Sequence, residues 1–192
     1  MGRTTTHPLA LIALGPHLAL RERIKALKDE MKEDDQASHA LKSPAHITLQ
    51  MPFRYRATDE TRMLGSLRDF ARPLVAFQVG LSGFDCFPPR VLFVRVENHS
   101  PIVRLYDGLQ PLLRNDLEFP PTPRPRPIHP HMTIATRDLE EDKFHEAWKA
   151  FESREFEAAF LADRLHLLKH NGSFWELFKE FPFQGTVGAP KN

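Results

Sequence analysis

His46-Ile47-Thr48-Leu49 and His131-Met132-Thr133-Ile134 repeat one pattern, histidine, apolar, threonine, apolar, at two places 85 residues apart. On a strand, alternate side chains share a face. Each motif therefore turns its imidazole and its hydroxyl to one side, about 7 Å apart along the backbone, and its two apolar side chains to the other. The apolar pair anchors the strand in a core, and the polar pair is presented from it. With ten histidines and ten threonines in 192 residues, chance supplies about 0.1 such tetrapeptides. One copy would read as an ordinary strand with a solvated histidine; two copies point to a shared task.

The flanks of the two motifs match in order: helix, histidine strand, helix, hairpin. Pro8 to Leu14 is a short apolar run closed by Gly15-Pro16 and reads as a buried strand. From His17 to about Asp34, Leu20, Ile24, Leu27 and Met31 form one helical stripe, and Asp35 to Pro44 is polar loop. Ala45 to Tyr55 alternates as a half-buried strand whose regular pairing ends at Pro52. Thr58 to Ala71 is a helix with Thr58 as its N-cap. Leu74 to Leu81 and Arg90 to Glu97 are strands of a hairpin looped through Gly83 to Pro89.

The order then recurs. Ser100 to about Asn115 is a helix with Ile102, Leu105, Leu109 and Leu112 along one side. Phe119 to Pro130 holds six prolines and is a stiff extended connection. His131 to Thr136 alternates, Leu139 to Glu152 is helical, and Phe156 to Leu168 and Phe174 to Phe181 are strands joined at Asn171-Gly172. Two copies of one unit that bury their apolar faces together predict a single α+β domain over 1–192. It has two intertwined, pseudo-symmetric lobes, two antiparallel sheets flanking a central groove, and helices on the outer faces. The groove is the natural site.

Composition sets the outer limits. Apolar residues make up 41% and charged residues 27%, as in ordinary globular chains, and 26 basic against 25 acidic residues leave a net charge of +1. No broad positive field exists for long duplex DNA, so any nucleic acid must be met locally. The lone cysteine, Cys86, excludes an intramolecular disulfide and a multi-thiolate metal site. Leu9 to Leu14 is too short for a membrane span or signal peptide, so no membrane partner, a reducing cytoplasm and a monomer are expected.

Phosphodiester cleavage by in-line displacement needs one group to take a proton from the attacking oxygen and another to give one to the leaving oxygen. Histidine performs either part near neutral pH. Threonine hydroxyls and adjacent amides can hold the nonbridging oxygens. Two His/Thr pairs thus supply base, acid and anion cradle with no cofactor. His129-Pro130-His131 offers two imidazoles to a metal, but no third ligand, HExxH or paired cysteine accompanies them, and no metal is expected. Glycine-rich phosphate loops and serine elbows are also missing from the sequence.

The motifs HITL and HMTI in this duplicated frame resemble those of the two-histidine (2H) phosphoesterase superfamily, which includes the 2′-5′ RNA ligase-like proteins and cyclic nucleotide phosphodiesterases. LALIALGPHLALRERIKALKDEM is similar to the opening strand and helix of such proteins. The resemblance implies a bilobal fold and metal-independent hydrolysis of a 2′,3′-cyclic phosphate on RNA ends or small nucleotides, with reverse 2′-5′ ligation as a further activity. It makes His46 and His131 the acid and the base respectively, and Thr48 and Thr133 the phosphate ligands. The 2′-5′ RNA ligase-like branch commonly follows its first motif with Phe-Leu-Gly, where this chain has Met51-Pro52-Phe53.

Around the motifs, Phe53, Tyr55, Phe84 and Phe87 are candidates to stack a base. Arg124 and Arg126, stiffened by prolines, are candidates to meet a phosphate. Arg137 occupies a place where the resemblance puts an arginine beside the second motif. Each has a structural alternative, core packing for the aromatics and solvation for the arginines. The rival to an enzyme is a non-catalytic RNA or nucleotide binding module, which has no need of two groups of matched proton affinity.

Overall fold

A computed structural model describes residues 7–115, 117, 119 and 127–186. In chain order the described elements are β1 (Leu9–Leu14), α1 (Leu18–Asp35), β2 (Ile47–Arg54), α2 (Glu60–Ala71), β3 (Phe77–Phe87), β4 (Val91–Val96), α3 (Ser100–Asn115), β5 (His131–Ala135), α4 (Glu141–Phe151), β6 (Glu157–Ala162), β7 (Arg164–His170) and β8 (Trp175–Pro182). They form two four-stranded antiparallel sheets, β2-β1-β7-β8 and β5-β4-β3-β6. The α+β architecture expected from the duplicated motifs is the one observed.

The repeat is visible as β1-α1-β2-α2-β3 followed by β4-α3-β5-α4-β6. The units are interleaved: β3 pairs with β4 and β6, while β7 returns to β1. Helix α1 packs on β5 and α4, and α2 on β8 and α3, so the two helices of the first unit serve one sheet each. One core runs beneath, built from Ile12, Leu14, Ile24, Ile47, Leu49, Val94, Met132, Ile134, Phe160 and Leu167 among others. Among the described residues no helix is long and apolar enough to cross a membrane.

Several local expectations change. Pro52 does not end β2, which runs to Arg54 as an edge strand, where a missing N–H interrupts no ladder, and register shifts accommodate the proline. Thr58 does not cap α2: it lies within a 3-10 turn, Ala57–Asp59, and the helix begins at Glu60. Gly83 marks a bulge and not a loop. Its φ of +62° falls where the pairing shifts between Leu81↔Val96 and Phe84↔Val94, and β3 continues to Phe87. In α3 the buried stripe ends on Leu113, because eleven residues from Ile102 complete three turns and ten do not.

The stretch from Phe156 to Leu168 is not one strand. It breaks at Asp163 into β6, an edge strand of the second sheet, and β7, which is inside the first and buried from Leu165 to Leu168. An apolar run carries no mark of where a chain leaves one sheet for another. The proline-rich connection lies largely outside the described residues, and Arg124 and Arg126 fall there.

Candidate active site

The two motif strands, β2 and β5, are the edge strands of different sheets, and they lie against each other. On β2, Ile47 and Leu49 are buried while Thr48 and Gln50, and His46 immediately before the strand, are half-buried. On β5, Met132 and Ile134 are buried while His131 and Thr133 are half-buried. Period-two geometry has done what the sequence required: core on one face, His and Thr on the other. Asp138, just beyond β5, joins the strands' approaches. Its Oδ2 accepts from the Ser38 amide at 2.9 Å, the Ser38 hydroxyl at 3.2 Å and the His39 amide at 2.7 Å, all in the segment leading to β2.

Each imidazole is oriented in the same way. His46 Nδ1 donates to the carbonyl of Pro44 at 2.8 Å, and His131 Nδ1 donates to that of His129 at 2.6 Å, two residues upstream in both cases. A carbonyl only accepts, so the neutral ring carries its proton on Nδ1, and Nε2 keeps a lone pair for chemistry. Burial lowers the proton affinity of both rings. His46 is pulled down to about 4, chiefly by desolvation and further by the charges of Lys28, His131 and His166; His131 is lowered by burial and by His129 and His99. The two catalytic candidates are thus close enough for a charge on one to disfavour a charge on the other.

The surroundings of the rings differ. His131 sits in an aromatic nest, with the rings of Phe87 and Phe93 at 5.1 and 4.9 Å and His129 behind them. His46 instead has cations and a polar row. In register across the first sheet run Thr48, Ala13, His166 and Glu180, so His166 shares the face of Thr48. His166 is buried, stands 3.3 Å from Glu180 Oε1, and is held neutral near pH 7 by burial and by Arg21, with its own value drawn down to about 4. Gly15 makes room for it: a Cβ there would overlap the His166 ring.

Lys28 is the unexpected group. It lies at the edge of the apolar stripe of α1, 3% exposed, and donates to the carbonyl of Ser43 at 2.9 Å. Ser43 precedes Pro44, whose carbonyl holds His46, so α1 steadies the first motif through two successive peptide groups. Desolvation brings Lys28 down to about 8, which leaves it charged at neutral pH. Neither Lys28 nor His166 stands out in the sequence. A lysine in a helix reads as solvated, and its one available mark is that residue 28 is four beyond Ile24.

The other sequence candidates separate. Phe87 adjoins His131 and is partly exposed, whereas Phe84 is buried against Phe151 and Phe156. Phe53 stacks on Phe119 at 4.6 Å and pairs in register with Ala10, on the core side of the sheet, seven residues from His46, or roughly 23 Å of strand. Tyr55 is buried with its hydroxyl donated to Glu60 at 2.6 Å. Arg137, at φ +55°, lies beside His39, whose proton affinity is lowered by burial and further by the Arg137 charge. Among the described residues no cluster of three or more metal-binding side chains forms.

Two His/Thr strands thus lie against each other at the edges of two antiparallel sheets, and comparison with known proteins gives the family to which this arrangement belongs. Residues 16–173 match the family model of the 2′-5′ RNA ligase superfamily, and the chain belongs to that family. It is 32% identical over 146 residues, 70% of this chain and 74% of the relative, to a Bacillus subtilis protein named RNA 2′,3′-cyclic phosphodiesterase. Among solved structures it is similar to TT0787 of Thermus thermophilus, with a TM-score of 0.66 at 18% identity over 93% of this chain and 100% of the other. It is also similar to E. coli LigT complexed with 3′-AMP, with a TM-score of 0.67 at 17% identity over 92% and 98%.

Proposed function

We propose that the protein hydrolyses the 2′,3′-cyclic phosphate at the end of an RNA, with His46, Thr48, His131 and Thr133 as the working groups. The observation that carries this is the pair of imidazoles on abutting edge strands, each with Nδ1–H committed to a backbone carbonyl and Nε2 left for the substrate. The Bacillus subtilis relative's name supports the choice of ester.

In the proposed reaction a water oxygen attacks phosphorus as its proton passes to one Nε2. The bond from phosphorus to one ribose oxygen breaks, and that oxygen takes a proton from the other Nε2. The product is a ribose phosphomonoester with a free neighbouring hydroxyl. The threonine hydroxyls donate to the nonbridging oxygens, where negative charge grows. We give His46, drawn down to about 4 by burial with Lys28 and His166 beside it, the part of the base, and His131, which burial also lowers, the part of the acid. This reverses the order implied by family resemblance. With the 5′-hydroxyl of a second RNA in place of water, the same groups would form the P–O5′ bond, break the bond from phosphorus to the 3′ oxygen and protonate that oxygen, leaving a 2′-5′ phosphodiester, the ligase reaction.

The test is a panel of 2′,3′-cyclic mononucleotides and cyclic-phosphate-ended oligonucleotides incubated with the purified chain in chelator, with products identified by chromatography and phosphorus NMR. Ring opening to a single regioisomer supports the reading, and intact substrates throughout reject it.

A further inference from the structure

Three clefts compete for whatever lies beyond the reacting phosphate. One, at the far end of β2, holds Phe53 and Phe119 and faces the helix side of the sheet, away from Thr48. A second pairs Arg95 and Arg154 with Glu152, Glu155 and Glu157, so its carboxylates outnumber its cations. The third, of about 340 Å³, opens between α1, the segment leading to β2, and the tip of the β7–β8 hairpin. Its wall includes Pro44 and Ala45, the two residues that run into His46, and Pro44 is the residue that orients the His46 ring.

This third cleft has the chemistry of a single-stranded nucleic acid site. Arg21, Lys25, Lys28 and Lys42 line it against one carboxylate, Glu22. Lys25 is paired with Asp29 at 2.6 Å, but Lys28 is a buried ammonium for which no carboxylate partner exists among the described residues. Such a charge is costly to keep unless an anion completes it. Phe174 and Trp175 supply ring faces on the same cleft, and Phe174 is 53% exposed, so its ring is open to a ligand. Trp175 packs on Leu11, Ala13 and Leu168, and Ala13 is the register partner of Thr48, so the cleft lies on the groove face of the sheet. Ring faces interleaved with cations bind bases and phosphates of a flexible strand without reading their sequence.

We infer that the cleft between α1 and the β7–β8 hairpin tip is a subsite for the ribonucleotides that precede the terminal cyclic phosphate. Their bases stack on Phe174 and Trp175, and their phosphates face Arg21, Lys28 and Lys42. The inference rests on the phosphoesterase reading and narrows it: the substrate is an RNA strand, and a cyclic mononucleotide fills only half of what is built. No base specificity follows, because every base offers a ring face.

Two measurements on the full chain test it. The first is the ratio of kcat/KM for a cyclic-phosphate-ended tetraribonucleotide to that for the matching cyclic mononucleotide. The ratio is expected to be tenfold or more in the native protein and to fall at least fivefold in Phe174→Ala and in Lys42→Glu, both surface changes that leave the core intact. A Trp175→Phe variant, which keeps a ring face, holds the native ratio. A native ratio near one, or variants that slow both substrates equally, overturns the proposal. The second is fluorescence anisotropy with a labelled tetraribonucleotide ending in an unreactive 3′-phosphate. Affinity is expected to drop fivefold or more in both variants, with a shallower salt dependence in Lys42→Glu. Affinity unaffected by both changes overturns the cleft whatever the turnover. Binding that weakens as expected in a protein that turns over neither cyclic substrate overturns the phosphoesterase reading and leaves the strand-binding cleft standing.

Discussion

Replacing Lys28 with methionine should make the protein more stable and less active. The ammonium is 3% exposed, and its affinity for a proton falls from the ordinary 10.5 to about 8 on folding. At about 1.36 kcal/mol per pH unit, keeping that charge buried at pH 7 costs the fold about 3 kcal/mol. Methionine fills the same stem volume without a charge. It abandons the Ser43 carbonyl, a loss of about 1 kcal/mol, so a net gain of about 2 kcal/mol is expected in urea unfolding at pH 7. The sign can be checked independently. Because the folded value lies below the unfolded one, the penalty is fully present below about pH 8 and disappears as pH rises toward 10.5. The stability difference between variant and native protein should therefore shrink across that interval. Turnover should fall, since the peptide that orients His46 loses its tether, and the His46 ring, relieved of a neighbouring charge, should take a proton more readily by NMR titration. A methionine variant that is less stable than the native protein, or a stability gap that does not change between pH 8 and 10.5, would refute this account of Lys28.

Other consequences are open to the same tools. Thr133→Val should lower kcat about 10²- to 10³-fold while thermal unfolding stays near native, as expected for loss of one donor to a developing oxyanion. Gly15→Ala should destabilise the fold by about 1–3 kcal/mol in denaturant unfolding, because the new methyl meets the His166 ring; native stability would mean the ring does not sit there. In acid, His166 and His46 accept protons in the unfolded chain below about 6.5 but in the folded chain only near 4. Stability should be full above pH 6.5 and fall between 6.5 and 4, by up to about 3 kcal/mol for His166 alone, and His166→Gln should flatten that slope. For the same reason the kcat/KM profile of the free enzyme should be a bell with its maximum on the acid side of 6.5, since one of two depressed imidazoles must carry a proton.

The parts of the site that can be read from the sequence are those with a period. Histidine and threonine two residues apart, with apolar residues between, fix a strand, its buried face and its presented face; repetition of the motif implies two lobes. Lys28 carries no such mark, because its burial depends on the Ser43 carbonyl arriving from a different segment. His166 is hidden by the break at Asp163: alternation sets the face of a residue within a strand, but nothing in an apolar run says which sheet the strand joins. Phe53 and Tyr55 are a case where counting suffices. Odd-numbered positions oppose His46, and the two one-residue register shifts between Thr48 and Phe53 add to two, which preserves the alternation and leaves Phe53 on the core side. Gly83 is ambiguous in the sequence because a bulge and a turn both ask for a left-handed residue.

The central claim is that the rings of His46 and His131 serve one phosphorus atom. Ring nitrogens of both residues can be followed by NMR while inorganic phosphate is titrated into the 192-residue chain. A single anion seated between them should shift both Nε2 resonances along one binding curve and raise the proton affinity of both rings, since a phosphate charge opposes the desolvation that lowers them. Two curves with different midpoints, or one ring that does not respond, would contradict it.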